Sequence, residues 1–162
     1  MAQVRAGGGY VLDSEGSGDM EPGAGAALRL ELPLGRFVTL GPMFQFVSLK
    51  DAGSSNRYEL LGAGLRLGMR RVFELGFGGI EISLSAPFGY TALLYHLDTG
   101  TTTDRGVHTG LLAGGKLFLG RRMALLLEVG FMRDFIFAPE AGRRSYVQTQ
   151  AAVNLGISIG FR

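Results

Sequence analysis

The chain of 162 residues has no cysteine, no tryptophan and only five prolines. Without cysteine it has neither a disulfide framework nor a thiolate metal site, which suits a chain that must cross an oxidising compartment without mispairing. No uninterrupted apolar run reaches the roughly 18 residues that a membrane-spanning helix needs. The stretch Ile82 to Leu97, free of Asp, Glu, Lys and Arg, is broken by Pro87 and Gly89. The opening Met1-Ala2-Gln3-Val4-Arg5 lacks the basic-then-apolar profile of an export signal, so a mature sequence with an added initiator methionine is expected. Charged residues are scarce at 19% against 46% apolar, a balance that excludes disorder. The 16 basic residues form no stripe of the kind that tracks nucleic acid, so no nucleic-acid partner is expected.

Glycine, by contrast, is abundant, at 27 residues. These glycines have no three-residue period, which excludes a collagen-like chain. Clusters such as Gly7-Gly8-Gly9 are followed by no Lys-Ser/Thr and no helix start, so they are not phosphate loops. They read as strand glycines that let backbones approach closely.

The clearest pattern is parity. From Ser145 to Phe161 the odd positions carry Val147, Val153, Leu155, Ile157 and Ile159, while the even positions carry Gln148, Gln150, Asn154, Ser158 and glycines. Successive side chains of a strand point to opposite faces, so one face is apolar and the other polar or tiny. Such a strand, longer than the usual five or six residues, has the form of a tilted membrane-crossing strand.

The same rhythm recurs along the chain. Strands are predicted at about Gln3 to Leu12, Ala24 to Leu34, Phe37 to Leu49, Tyr58 to Met69, Val107 to Leu119, Met123 to Phe137 and Ser145 to Phe161. Asp13 to Pro22, Lys50 to Asn56, Asp98 to Gly106 and Pro139 to Arg144 read as polar loops. Gly35-Arg36, Arg70-Arg71 and Gly120-Arg121-Arg122 read as tight turns, and Pro42 suggests a bulge in mid-strand. Between Val72 and Leu97 the parity flips at Gly78-Gly79. This stretch reads as one long strand bulged at the glycines and kinked at Pro87, or else as an excursion outside the membrane with the span starting near Phe88.

Eight strands, an even number, put both termini on one side. The expected fold is all-β: a closed, antiparallel, eight-stranded, up-and-down transmembrane β-barrel, one domain over residues 1–162, in the cell outer membrane. The eight alternating segments and the final strand ending in aromatic Phe161 resemble the small outer-membrane barrels of the OmpA/OmpX type. That resemblance implies contact with outer-membrane lipids and lipopolysaccharide, and recognition of the last strand by the barrel-assembly machinery, although Arg162 follows Phe161 here. It implies little about activity, because such barrels include tethers, adhesins and enzymes.

The inward positions hold Arg5, Arg29, Glu31, Arg66, Glu74, Lys116 and Glu128, joined by Gln148, Gln150 and Asn154. Charges facing a narrow interior must be paired, so a packed polar network is expected, with a narrow polar path as the rival reading. Arg36, Arg70, Arg71, Arg121 and Arg122 at the short turns read as anchors to lipid headgroups or as contacts for a periplasmic protein. His96 and His108 flank the third loop; they are either rim residues or a pair able to bind a metal or act as a base. His108 is followed by Thr109-Gly110, so the His-x-Ser pattern of a lipid A deacylase is absent. The expectation is a structural or interaction role without enzymatic activity or cofactor, with a small channel, a hydrophobic-solute portal or a lipid-modifying enzyme as alternatives.

Overall fold

A computed structural model describes residues 2–15, 20–51, 57–75, 78–97, 100–120, 122–137 and 145–161, and in it eight antiparallel strands close into one barrel. The strands are β1 (Ala2–Glu15), β2 (Met20–Leu34), β3 (Val38–Asp51), β4 (Arg57–Leu75), β5 (Gly78–Leu97), β6 (Gly100–Phe118), β7 (Met123–Phe137) and β8 (Tyr146–Phe161). Each strand pairs with its neighbours in sequence, and β8 returns to β1 from Ala2↔Phe161 to Glu15↔Thr149. Closure removes every sheet edge, as a wall in hydrocarbon requires, because water is not there to satisfy backbone groups.

Followed at right angles to the strands, the pairing leaves β1 at Arg5 and passes Arg29, Met43, Gly64, Gly89, His108 and Asp134 to Gln148. The next residue, Thr149, meets β1 at Glu15. This climb along β1 in a single circuit is the stagger that tilts the strands of a closed barrel.

Parity sorts the side chains as alternation predicts. Large apolar residues point outward around the wall, among them Leu28, Leu67, Leu127 and Leu155, each between 48% and 59% exposed. A belt of that kind would drive aggregation in water; in a membrane it is the lipid-facing surface.

The strands run longer than predicted, and this relocates several turns. Residues 98–99 alone separate β5 from β6, so residues 100–106 of the expected third loop lie in β6. Strand β4 continues through Arg70-Arg71 to Leu75, and β5 begins at Gly78. The parity flip at Gly78-Gly79 is therefore the start of a new strand, which replaces both the single bulged strand and the excursion. Paired from Arg57↔His96 to Leu75↔Gly78, β4 and β5 form one long hairpin.

Pro42 creates no bulge. The register is the same on either side of it, at Arg29↔Met43 and Leu32↔Leu40, and Pro42 pairs toward β4 with Leu65. Beside it, a Cβ on Gly41 would lie 1.6 Å from the Leu30 carbonyl oxygen, so only glycine fits where β3 presses against β2.

Candidate functional site: the barrel interior and its rims

The interior is filled in layers, ordered here from the end that carries the chain termini. In the first layer, Lys116 Nζ lies 2.6 Å from Glu81 Oε1 and 3.2 Å from Glu31 Oε2. Arg70 Nη1 reaches Glu81 Oε2 at 3.3 Å. In the second layer, Arg29 and Arg66 both donate to Glu128, one to each carboxylate oxygen, and all three side chains are buried. Glu128 has room because its neighbour on β6 is Gly114, where a Cβ would come within 2.8 Å of Glu128 Cγ.

Above these ion pairs lie Gln150 and Asp134, with Gln150 Nε2 donating to Asp134 Oδ2 at 3.0 Å. His108, Asp134 and Gln148 stand abreast on β6, β7 and β8, all pointing inward and buried. A cavity of ≈ 30 Å³ lined by Arg29, Gln45, Met132, Gln150 and Asn154 lies between this tier and the ion pairs. It has room for a water or two and no more.

Toward the outer end the inward side chains are apolar. Leu60, Leu93 and Ile136 form a buried cluster, with Val47, Tyr58 and Tyr95 packed against it. The two tyrosine rings meet edge-on, 5.3 Å between centroids at 82°. Sequence reading missed this plug because Leu60-Leu61, Leu93-Leu94 and Phe135-Ile136 are apolar on both faces. Where one face meets lipid and the other meets a packed interior, alternation vanishes. Adjacent apolar pairs near an outer strand end are the signal that could have revealed it.

Of the predicted network, Arg29, Glu31, Arg66, Lys116, Glu128, Gln148 and Gln150 are buried inside, and Asn154 is half-buried. The side chain of Arg5 lies outside the described residues, although its backbone pairs with Arg29. Glu74 does not belong to the network. It has inward parity but sits near the end of β4, beyond the packed interior, and is exposed. The carboxylate that takes the expected place is Glu81, fully buried on β5. The misplaced turn hid it.

The turn arginines also divide. Arg36 and Arg122 are exposed at the inner rim, and Arg121 lies outside the described residues. Arg70 and Arg71 are strand residues, because the hairpin turn lies beyond them. Arg70 points inward to Glu81, whereas Arg71 points outward with its guanidinium 5.3 Å from the centre of the Phe73 ring. Arg36, Phe37, Arg71, Val72 and Glu74 line a rim recess of ≈ 530 Å³.

The histidines are not brought together. His96 pairs across the hairpin with Thr101 and lies 3.4 Å from Glu59 on the outer surface, while His108 pairs with Gly89 farther down the barrel. His108 points into the interior and is 2% exposed. Full-length pairing of β5 with β6 separates the two rings along the strands and puts them on opposite faces. Among the described residues no group of three or more His, Cys, Asp or Glu is placed to hold a metal ion.

This closed eight-stranded architecture, belted with apolar residues and filled inside, is that of the small outer-membrane β-barrels. No protein-family model matches the chain, and no curated protein matches it in sequence. Solved structures match it in fold. Neisserial surface protein A superposes with a TM-score of 0.69 at 13% identity, over 99% of this chain and 97% of that one. Ail, the attachment invasion locus protein of Yersinia pestis, in complex with the heparin analogue sucrose octasulfate, gives 0.61 at 8% identity, over 98% and 96%. OprG of Pseudomonas aeruginosa gives 0.55 at 13%, over 99% and 95%. The chain is thus similar in fold to Gram-negative outer-membrane barrels.

Proposed function

We propose that this protein is a sealed wall of the outer membrane, whose role is structural or interactive and whose interior passes neither ions nor solutes. The observation that carries this reading is the sequence of closures along the axis: two ion-pair layers, a hydrogen-bonded tier and the Leu60–Leu93–Ile136 plug. Side chains fill the interior of an eight-stranded barrel when they are large, and these are. Purified protein in a planar bilayer should give no discrete conductance steps. Reproducible openings would overturn the sealed reading and favour the small channel.

A non-catalytic role is part of the same proposal. His108 is enclosed within the barrel and His96 lies on its outer face, so the two cannot share one reacting group. Lipid A from cells with and without the protein should give the same mass spectrum; a new acylation or phosphorylation state would remove this part. Recognition by the assembly machinery rests on the final strand, which ends at Phe161.

An outward-facing recess of ≈ 900 Å³, lined by Ala26, Phe44, Leu61, Ala63, Tyr90 and Leu155 among others, is almost wholly apolar. Its position in the lipid-facing wall makes acyl chains its natural contents. It is no evidence for a lumen.

A further inference from the structure

We infer that the inner end of β4 is a docking edge, which takes an extended segment of a periplasmic protein as an added β-strand. The inference gives the interactive part of the proposed role a site. It rests on that reading only for the side of the membrane on which the edge lies.

The edge follows from unequal strand ends. Pairing of β4 with β3 stops at Val38↔Met69, with one further bond from the Arg70 amide to the Phe37 carbonyl oxygen. Pairing of β4 with β5 runs on through Arg71↔Ile82 to Leu75↔Gly78, and β5 is itself backed by β6 as far as Gly79↔Phe118. Among the described residues, Arg71–Leu75 thus have a strand on one side only, over roughly 16 Å at ~3.3 Å per residue. Main-chain groups alternate in direction along a strand. The Arg70 amide points toward β3, so those of Val72 and Glu74 point the same way, past the end of β3. Each of the two residues presents one N–H and one C=O at the open edge.

Proteins usually blunt such edges with proline, bulges or charge. This stretch has no proline and no register shift, and Val72, Phe73 and Leu75 are 38–47% exposed. Its two charges, Arg71 facing outward and Glu74 inward, are of opposite sign and so select a partner rather than repel every strand. Across the open edge stand Arg36 and Phe37 of the β2–β3 turn. The rim recess of ≈ 530 Å³ lies between them and Arg71, Val72 and Glu74, on the line β3 would follow if it began earlier.

A strand in that place runs antiparallel to β4, as β3 does, and ends against the turn. Residues opposite one another share a face. From its N-terminal end, the segment wants a basic residue opposite Glu74 and an apolar one opposite Phe73. A β-branched residue then meets Val72, an acidic one meets Arg71, and the carboxyl end approaches Arg36. Main-chain bonds supply the affinity of such an added strand and alternate side chains its specificity. A second copy of this chain in the same membrane does not fit. Rotation about the membrane normal leaves its β4 parallel and turns the lipid-facing side of that strand inward.

The test uses the full chain refolded into phosphatidylcholine nanodiscs, which leave both rims accessible, and the fluorescence anisotropy of a labelled peptide, Thr-Lys-Tyr-Val-Glu. Wild type should bind it on the order of tenfold more tightly than the charge-swapped Thr-Glu-Tyr-Val-Lys. N-methylation of the peptide's valine, whose amide meets the edge, should abolish binding. N-methylation of its tyrosine, whose amide points away, should not. V72P should lose the peptide yet fold normally, because proline is tolerated where an edge N–H has no strand partner. Heat-dependent gel mobility reads that folding, and a V72P that fails to fold would show the Val72 amide to be bonded within the barrel, which overturns the open edge. Equal binding of the valine-methylated peptide, or no binding at millimolar concentration, would overturn the added strand. Wild type that is dimeric where V72P is monomeric would give the edge to a second copy instead. Silent or conducting bilayer recordings bear only on the sealed interior.

Discussion

Replacing Glu128 with leucine is expected to destabilise the folded barrel by about 3–5 kcal/mol, the effect of removing one partner from a buried ion pair. Glu128 is fully buried and accepts from both Arg29 and Arg66, which are themselves 4% exposed. Without the carboxylate, two guanidinium groups face each other across a narrow interior, with no water shell to compensate them. Urea titration of protein folded in lipid vesicles, read by heat-dependent gel mobility, should show the loss as an earlier midpoint. Tryptophan fluorescence is not an option for a chain without tryptophan. Adding Arg29→Met and Arg66→Leu to the Glu128→Leu variant should restore most of the stability, because an apolar filling needs no counter-charge. A single variant as stable as wild type would show that the triad is not desolvated.

The adjacent residue supplies the second large effect, with opposite chemistry. Val129 faces lipid and is 46% exposed. It lies near the middle of β7, the strand that runs from Met123 to Phe137. Val129→Arg is expected to destabilise the barrel in vesicles by about 2–4 kcal/mol, as charges at the bilayer midplane do. The same charge at position 133, near the outer interface, is native. A soluble barrel with the same strands would tolerate arginine at an exposed position within about 0.5 kcal/mol. A neutral Val129→Arg in vesicles would therefore count against a lipid-facing belt at this height. Together, the two variants place an essential charge and a forbidden charge at neighbouring positions.

Much of this fold was legible because lipid outside and polar packing inside impose opposite demands on alternate residues. Leu125, Leu127 and Val129 against Glu128, and Leu28, Leu30 and Leu32 against Arg29 and Glu31, read correctly from parity alone. Reading failed where one of those demands changes. At Arg70-Arg71 a charged pair looked like a turn, but one arginine points in to Glu81 and the other out over Phe73. That error shifted the strand boundary, admitted Glu74 to the interior and left out Glu81. Near the outer ends, polar residues such as Thr101 to Thr103 looked like loop, yet they pair residue by residue with His96, Tyr95 and Leu94.

By itself, the sequence determined which residues could share a face, since parity is a property of the extended chain and needs no partner. It therefore settled that the wall is amphipathic and that the strands number eight. Only the tertiary structure decided which charges meet. Glu128 meets Arg29 and Arg66 from strands 99 and 62 residues away in sequence. Their encounter depends on the stagger of the closed sheet. Parity assigns a side chain to the inside; stagger assigns it a height and a partner. The physical reason is that closing the barrel couples the register of all eight strands, and no single segment carries that information.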